Sequence, residues 1–192
     1  MKKTITIISI LMTNYLFSQT SNNYDSINLQ NRKKNILVNN NIDCSKYISV
    51  TFDEVSGKTT TAAKDFILLN DELKLSDYLK LLISLGNNKS NELIFYFYAK
   101  GNVGCTDEDG LINILFTDGS RIELHNRDFN CKNVSSFYLG GIWGFDDELY
   151  QLKSKKIKTI RVWFTSKFIE KTLTAEQQIT IYNTINCLMQ TK

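Results

Sequence analysis

Two alternating apolar runs meet at Asp118-Gly119, and a cysteine stands at the far end of each, Cys105 and Cys131. Asp-Gly between such runs is the strongest short-range signal for a β-hairpin. The register then decides what the hairpin can pack against. A two-residue loop at Asp118-Gly119 pairs Phe116 with Arg121 and Ile114 with Glu123, which mixes charge into an apolar face. A three-residue loop, Thr117-Asp118-Gly119, with Gly119 left-handed in a bulge, pairs Phe116 with Ser120, Ile114 with Ile122 and Ile112 with Leu124. One face then carries Ile112, Ile114, Phe116, Ile122 and Leu124; the other carries Asn113, Arg121, Glu123 and His125 with Leu111 and Leu115. A slip of one residue exchanges the faces, so the register that segregates polarity should win. Continued outward, it sets Cys105 opposite Cys131, and neighbouring strands satisfy disulfide geometry. We expect this hairpin at the centre of an antiparallel sheet, with a Cys105–Cys131 bridge.

The N-terminus sets the compartment. Lys2 and Lys3 precede a mostly apolar stretch, Ile5–Met12, and Ser18-Gln19-Thr20 offers a small-x-small cleavage site. Residues 1–20 read as a secretory signal peptide. Their apolar run is too short to span a bilayer, which takes about 20 residues, and we expect no transmembrane segment after cleavage. The protein is then exported, to the periplasm or the extracellular space. In that oxidising setting an even number of cysteines favours disulfides. With Cys105 and Cys131 paired, Cys44 and Cys187 remain, and their bridge would tie the start of the domain to its last helix. No C-x-x-C spacing occurs, so zinc and thiol-redox readings gain no support. Losing Lys2 and Lys3 lowers the formal charge from +3 to +1. That balance gives no electrostatic case for nucleic acid.

Residues 21–41 are polar and Asn-rich and read as a flexible N-terminal linker. Tyr47–Phe52 alternates as a strand, Ser56-Gly57 turns, and Lys58–Ala63 returns. Phe66–Leu69 is a short apolar run; residues 71–85 suit a helix, or a strand over Tyr78–Leu85. Leu93–Tyr98 is apolar or aromatic on both faces, as in a central strand covered on both sides. With the hairpin following at once, three strands should be sequential neighbours. Ser136–Trp143 reads as a strand bent at Gly140-Gly141, Asp146–Leu152 as a short helix opening on acids. Ile157–Ser166 reads as a strand with Ile160, Val162 and Phe164 on one side and Arg161 and Trp163 on the other. Thr174 and Gln177 form a capping box for a last helix, whose apolar stripe is expected at Ala175, Ile179, Tyr182, Ile185 and Met189.

Candidate sites are sparse. Asp107, Glu108, Asp109 and Gly110 fail the EF-hand pattern, whose first and last ligands would be Cys105 and Phe116. A solvated acidic loop is the better reading, and no metal or cofactor is expected. His125 is the single histidine and a candidate general base. No G-x-S-x-G elbow marks a nucleophile for it, so no catalytic residue is assigned. Lys153, Lys155, Lys156, Lys158 and Arg161 run up to Trp163. Base interleaved with aromatic suits an anion, glycan or membrane surface, against the plainer reading of a solvated strand face. Phe137, Tyr138 and Trp143 could form an aromatic platform, but core packing explains them better.

Gly104-Cys105, Leu115–Ser120, Asn130-Cys131, Ile157–Val162 and Cys187-Leu188 together resemble small exported bacterial domains of unknown function. The resemblance implies a sheet-plus-helix fold and no activity. Residues 42–192 are therefore expected to form one α+β domain, a mostly antiparallel β-sheet packed against a C-terminal α-helix. The leading functional expectation is an exported, non-enzymatic binding or envelope-associated module. Its candidate surface is Arg161, Trp163, Lys158 and His125, and its partner a protein, glycan or small ligand. The alternatives are a small hydrolase using His125 with Glu123 or the acids at 107–109, and a protein-binding inhibitor or immunity-type factor.

Overall fold

The computed structural model describes residues 42–69, 79–86, 92–100, 103–106, 110–126, 131, 133–140, 144 and 146–190. The signal peptide, the linker, the helix reading of 71–78, the acidic loop at 107–109 and Trp143 lie outside the described residues. Two antiparallel sheets share one hydrophobic core. The first runs in the order β1 (Ile48–Asp53), β2 (Lys58–Ala63), β4 (Leu79–Leu85), β5 (Leu93–Ala99), β8 (Val134–Leu139), with the short β3 (Ile67–Leu68) also on β4. The second runs β10 (Phe168–Thr172), β9 (Ile157–Trp163), β6 (Leu111–Phe116), β7 (Arg121–His125). Two helices complete the described chain, α1 (Asp146–Ser154) and α2 (Ala175–Met189). Among the described residues no helix is long and apolar enough to cross a membrane.

The hairpin adopts the polarity-segregating register. Ile112 faces Leu124 and Ile114 faces Ile122. The Phe116 N–H donates to the Ser120 carbonyl at 2.8 Å, and Gly119 sits at φ +87°. Its place in the fold differs from expectation. It is not the sequential neighbour of β5, which lies between β4 and β8. Between β5 and β6 the chain crosses to the second sheet. The Val103 and Cys105 carbonyls accept from the Ser166 and Thr165 N–H groups at 3.3 and 2.9 Å, which holds this crossing against the β9–β10 turn. Gly104 permits it, with φ +80°, at a point where an added Cβ would collide with the Thr165 and Ser166 hydroxyls. The hairpin's other partner is β9, through Asn113↔Arg161 and Ile114↔Ile160.

The inner faces supply the core. Leu81, Ile83, Phe95, Phe97 and Phe137 come from the first sheet and Ile112, Ile114, Phe116, Ile160 and Val162 from the second. Phe97 and Phe137 meet edge to face, centroids 5.8 Å apart, so Phe137 is core rather than platform. Helix α2 closes this core with Ile181, Thr184, Ile185 and Leu188. That corrects the expected stripe. Ala175 is exposed, Ile179 is 45% exposed and Tyr182 only half-buried. The buried stripe runs through a threonine, which pattern reading counts as polar. The Thr184 hydroxyl donates to the Thr180 carbonyl at 2.8 Å, so its polar atom is satisfied within the helix while the methyl packs inward.

Both disulfides form. Cys44 joins Cys187 with Cα atoms 5.5 Å apart, and Cys105 joins Cys131 with Cα atoms 4.1 Å apart. The capping box on α2 is complete: Thr174 Oγ1 accepts from the Gln177 N–H at 3.2 Å, and Gln177 Oε1 accepts from the Thr174 N–H at 2.8 Å.

Candidate functional site

The outer face of the second sheet gathers most of the chemistry the sequence singles out. Strand alternation sends every second side chain of β6, β7, β9 and β10 away from the core. Register then aligns them in rows. The middle row is Glu170, Arg161, Asn113, Glu123, since Arg161 faces both Glu170 and Asn113, and Asn113 faces Glu123. The row above joins Phe168 to Trp163, and Leu111 to His125. The row below joins Thr172 to Thr159, and Leu115 to Arg121.

These side chains hold one another. Arg161 Nε donates to Glu170 Oε2 at 2.6 Å, and the Arg161 Nη2 also meets that oxygen. The guanidinium lies 4.7 Å from the Phe168 ring centroid and 5.8 Å from that of Trp163, within cation–π reach. Trp163 and Phe168 pack against each other with centroids 4.9 Å apart and remain 37% and 45% exposed. The indole N–H of Trp163 donates to Asn113 Oδ1 at 2.8 Å, and Asn113 Nδ2 donates to Glu123 Oε2 at 2.7 Å. His125 Nε2 stands 3.8 Å from the other Glu123 oxygen. The result is a chain of contacts from the aromatic pair to His125 across all four strands.

Arg161, Trp163 and His125 thus share one face. Lys158 is exposed at the start of β9, at the bulge where Ile157 and Ile160 are both buried, and it borders the same face. The basic run as a whole is dispersed. Lys155 turns to the hairpin, 3.0 Å from Asp118 Oδ2 and 2.8 Å from Ser120 Oγ, and Arg161 is committed to Glu170. At the same turn the Ser120 hydroxyl and N–H, then Lys155, hold the Asp118 carboxyl down at about 2. His125 and Glu123 are 54% and 52% exposed on the sheet face.

Asn113, Phe168 and Glu170 were not singled out from the sequence. Asn113 lies on the polar face that the hairpin register predicts, but a lone Asn carries no motif. Strand β10 carries no clear signal in the sequence. Its turn, Thr165-Ser166-Lys167, contains no Gly, Asn or Asp, so nothing announced a hairpin after Trp163. The signal that was present is the Phe168-x-Glu170-x-Thr172 alternation, which is short.

A groove of about 220 Å³ lies elsewhere, between the 3-10 turn Cys44–Lys46, β3 and the first turns of α2, lined by Lys46, Lys64, Phe66, Leu68, Gln177 and Thr180. Among the described residues no three His, Cys, Asp or Glu side chains converge to hold a metal ion. No protein-family model, no curated protein and no solved structure matches this chain.

Proposed function

We propose that the chain is an exported, non-enzymatic binding or envelope-associated module, and that it binds through the outer face of its second sheet. The carrying observation is the cross-strand network Glu170–Arg161, Trp163–Asn113–Glu123, stacked beside a half-exposed Trp163–Phe168 pair. Side chains fixed by one another lose little freedom when a ligand arrives, which favours binding. Aromatic and Arg side chains are also the types most used as binding anchors. The two disulfides support an oxidising compartment, and with it export. An open, solvated His125 supports binding over hydrolysis.

The test replaces Arg161 and Trp163 together with alanine. Both versions are passed over bacterial cell-envelope material, separated into protein-free polysaccharide, lipid vesicles and solubilised protein. We expect the wild-type chain to be retained by one fraction and the variant to lose at least about tenfold in affinity, which is about 1.4 kcal/mol. Equal retention of the two chains removes this face from the function.

The inhibitor reading has one observation in its favour. Phe66 and Leu68 are exposed beside the groove at the start of α2. Selective loss of a protein partner in Phe66→Asp would favour it.

A further inference from the structure

The outer face of the second sheet carries more information than the existence of a binding surface. Its outward positions on β6, β7, β9 and β10 hold two arginines, Arg121 and Arg161, and two glutamates, Glu123 and Glu170, with Lys158 exposed at the β9 bulge on its border. Both signs are present in nearly equal number, so no strong field of one sign builds up over the face. The signs also alternate along the middle row, from Glu170 to Arg161 to Asn113 to Glu123. A polyanion or polycation would find repulsion as well as attraction here. A ligand whose groups both donate and accept hydrogen bonds, and which carries no charge, meets no such conflict.

The aromatic pair narrows the chemistry further. Trp163 and Phe168 present apolar ring surface at one end of the sheet, directly beside the planar polar groups of Arg161 and Asn113. Such a surface suits a molecule with an apolar face and a polar rim. Strands about 4.8 Å apart, with outward positions about 6.7 Å apart along each, make a platform roughly 14 Å across. That has room for several linked rings. No cleft is needed to hold an extended polymer on a platform of this width.

We propose that the ligand of this face is a neutral oligosaccharide or polysaccharide. The C–H face of one sugar ring lies on Trp163 and Phe168, and neighbouring hydroxyls reach Asn113, Glu170, Arg161 and Glu123. The assignment rests on the binding reading above and adds the ligand's class to it. Arg161 and Glu170 neutralise each other, so they act as rigid hydrogen-bonding groups rather than as a charge trap.

The test is affinity electrophoresis of the mature chain through gels containing a soluble β-1,4-glucan, a β-1,3-glucan, an α-mannan or, as the charged comparison, alginate. At least one neutral polymer retards the wild-type chain, and Trp163→Ala with Phe168→Ala weakens that retardation at least about tenfold. Trp163→Phe, which keeps a ring, restores part of it. Glu54→Gln, in the β1–β2 turn of the other sheet, changes neutral-polymer affinity less than about twofold. Raising salt from about 0.05 to about 0.5 M also leaves it nearly unchanged, since an uncharged ligand makes no ion pair to be screened. A thermal melt of each variant separates lost binding from lost folding. Three results overturn the assignment: no neutral polymer retards the chain, the aromatic variants run as wild type, or alginate alone binds with a steep salt dependence. If the Arg161 and Trp163 double variant still loses envelope retention in that case, the binding face stands and only the ligand class falls.

Discussion

Single carboxylates at turns make this fold sensitive to acid. Asp118 accepts from the Ser120 hydroxyl at 2.6 Å and from its N–H at 2.9 Å, with Lys155 3.0 Å from the other oxygen. Those contacts favour the ionised form and lower its pKa from 3.8 to about 2. Asp53 is lowered in the same way by the Ser56 hydroxyl and the Val55 and Ser56 N–H groups, and Asp43 by the Ser45 hydroxyl and N–H. The sign follows from linkage. A group whose folded pKa is depressed adds stability above its unfolded pKa, and that stability is lost as pH falls through the folded value. For Asp118 the window therefore runs from 3.8 down to about 2. Asp118→Asn cannot titrate. Wild type should melt higher than Asp118→Asn at pH 6, and the gap should close as pH falls to about 2, while both proteins keep the acid loss due to Asp43 and Asp53. Melting curves at a series of pH values check it, and a gap that persists at the acid end refutes the assigned cause.

At the scale of elements, what could be read from the sequence depended on how local the determining physics was. The 111–125 hairpin was legible to the residue, because turn chemistry and a period of two agree there. The capping box was legible because Thr174 and Gln177 are three residues apart. The division into two sheets was not, since β5 and β6 are adjacent in sequence and nothing in 100–110 announces that the chain changes sheets. The contacts that carry the crossing, from Val103 and Cys105 to Thr165 and Ser166, span about sixty residues. The candidate site was legible by half for the same reason. Arg161, Trp163 and His125 announce themselves by type, whereas Asn113, Phe168 and Glu170 gain meaning only from cross-strand register. The cap also does more than end a helix. Gln177 Nε2 donates to the Leu68 carbonyl at 2.6 Å, so the α2 start is fastened to β3. Thr174→Ala should lower stability by about 1 kcal/mol, and Thr174→Ser should recover most of it. Urea unfolding measures both, and a change below about 0.3 kcal/mol would show that packing alone sets the helix start.

On the scale of the whole molecule, two cross-links act at different depths. Cys44–Cys187 closes a loop of sequence separation 143 and joins the first described turn to α2 at the end of the chain. Cys105–Cys131 spans 26 residues and closes the open end of the hairpin. In the chain-entropy account, restricting the unfolded state is worth about 5 kcal/mol for the first and about 3.5 kcal/mol for the second. Burial separates them further. Cys44 and Cys187 have no exposure at all, whereas Cys131 is exposed. Thiol exchange needs an attacking thiolate to reach a sulfur atom. Under native conditions a mild reductant should therefore open Cys105–Cys131 first, leaving Cys44–Cys187 intact until α2 lifts from the core. Opening the first bond should leave the outer face of the second sheet folded, since β6, β7, β9 and β10 keep their ladders and the Trp163–Asn113–Glu123 bonds. Opening the second frees the helix that closes the core with Ile181, Ile185 and Leu188, and should unfold both sheets together. Timed alkylation with mass mapping gives the order of opening, and urea unfolding of Cys105→Ala/Cys131→Ala against Cys44→Ala/Cys187→Ala gives the relative cost. If Cys44 and Cys187 are alkylated before Cys105 and Cys131, then α2 is not the clamp that keeps the two sheets on one core.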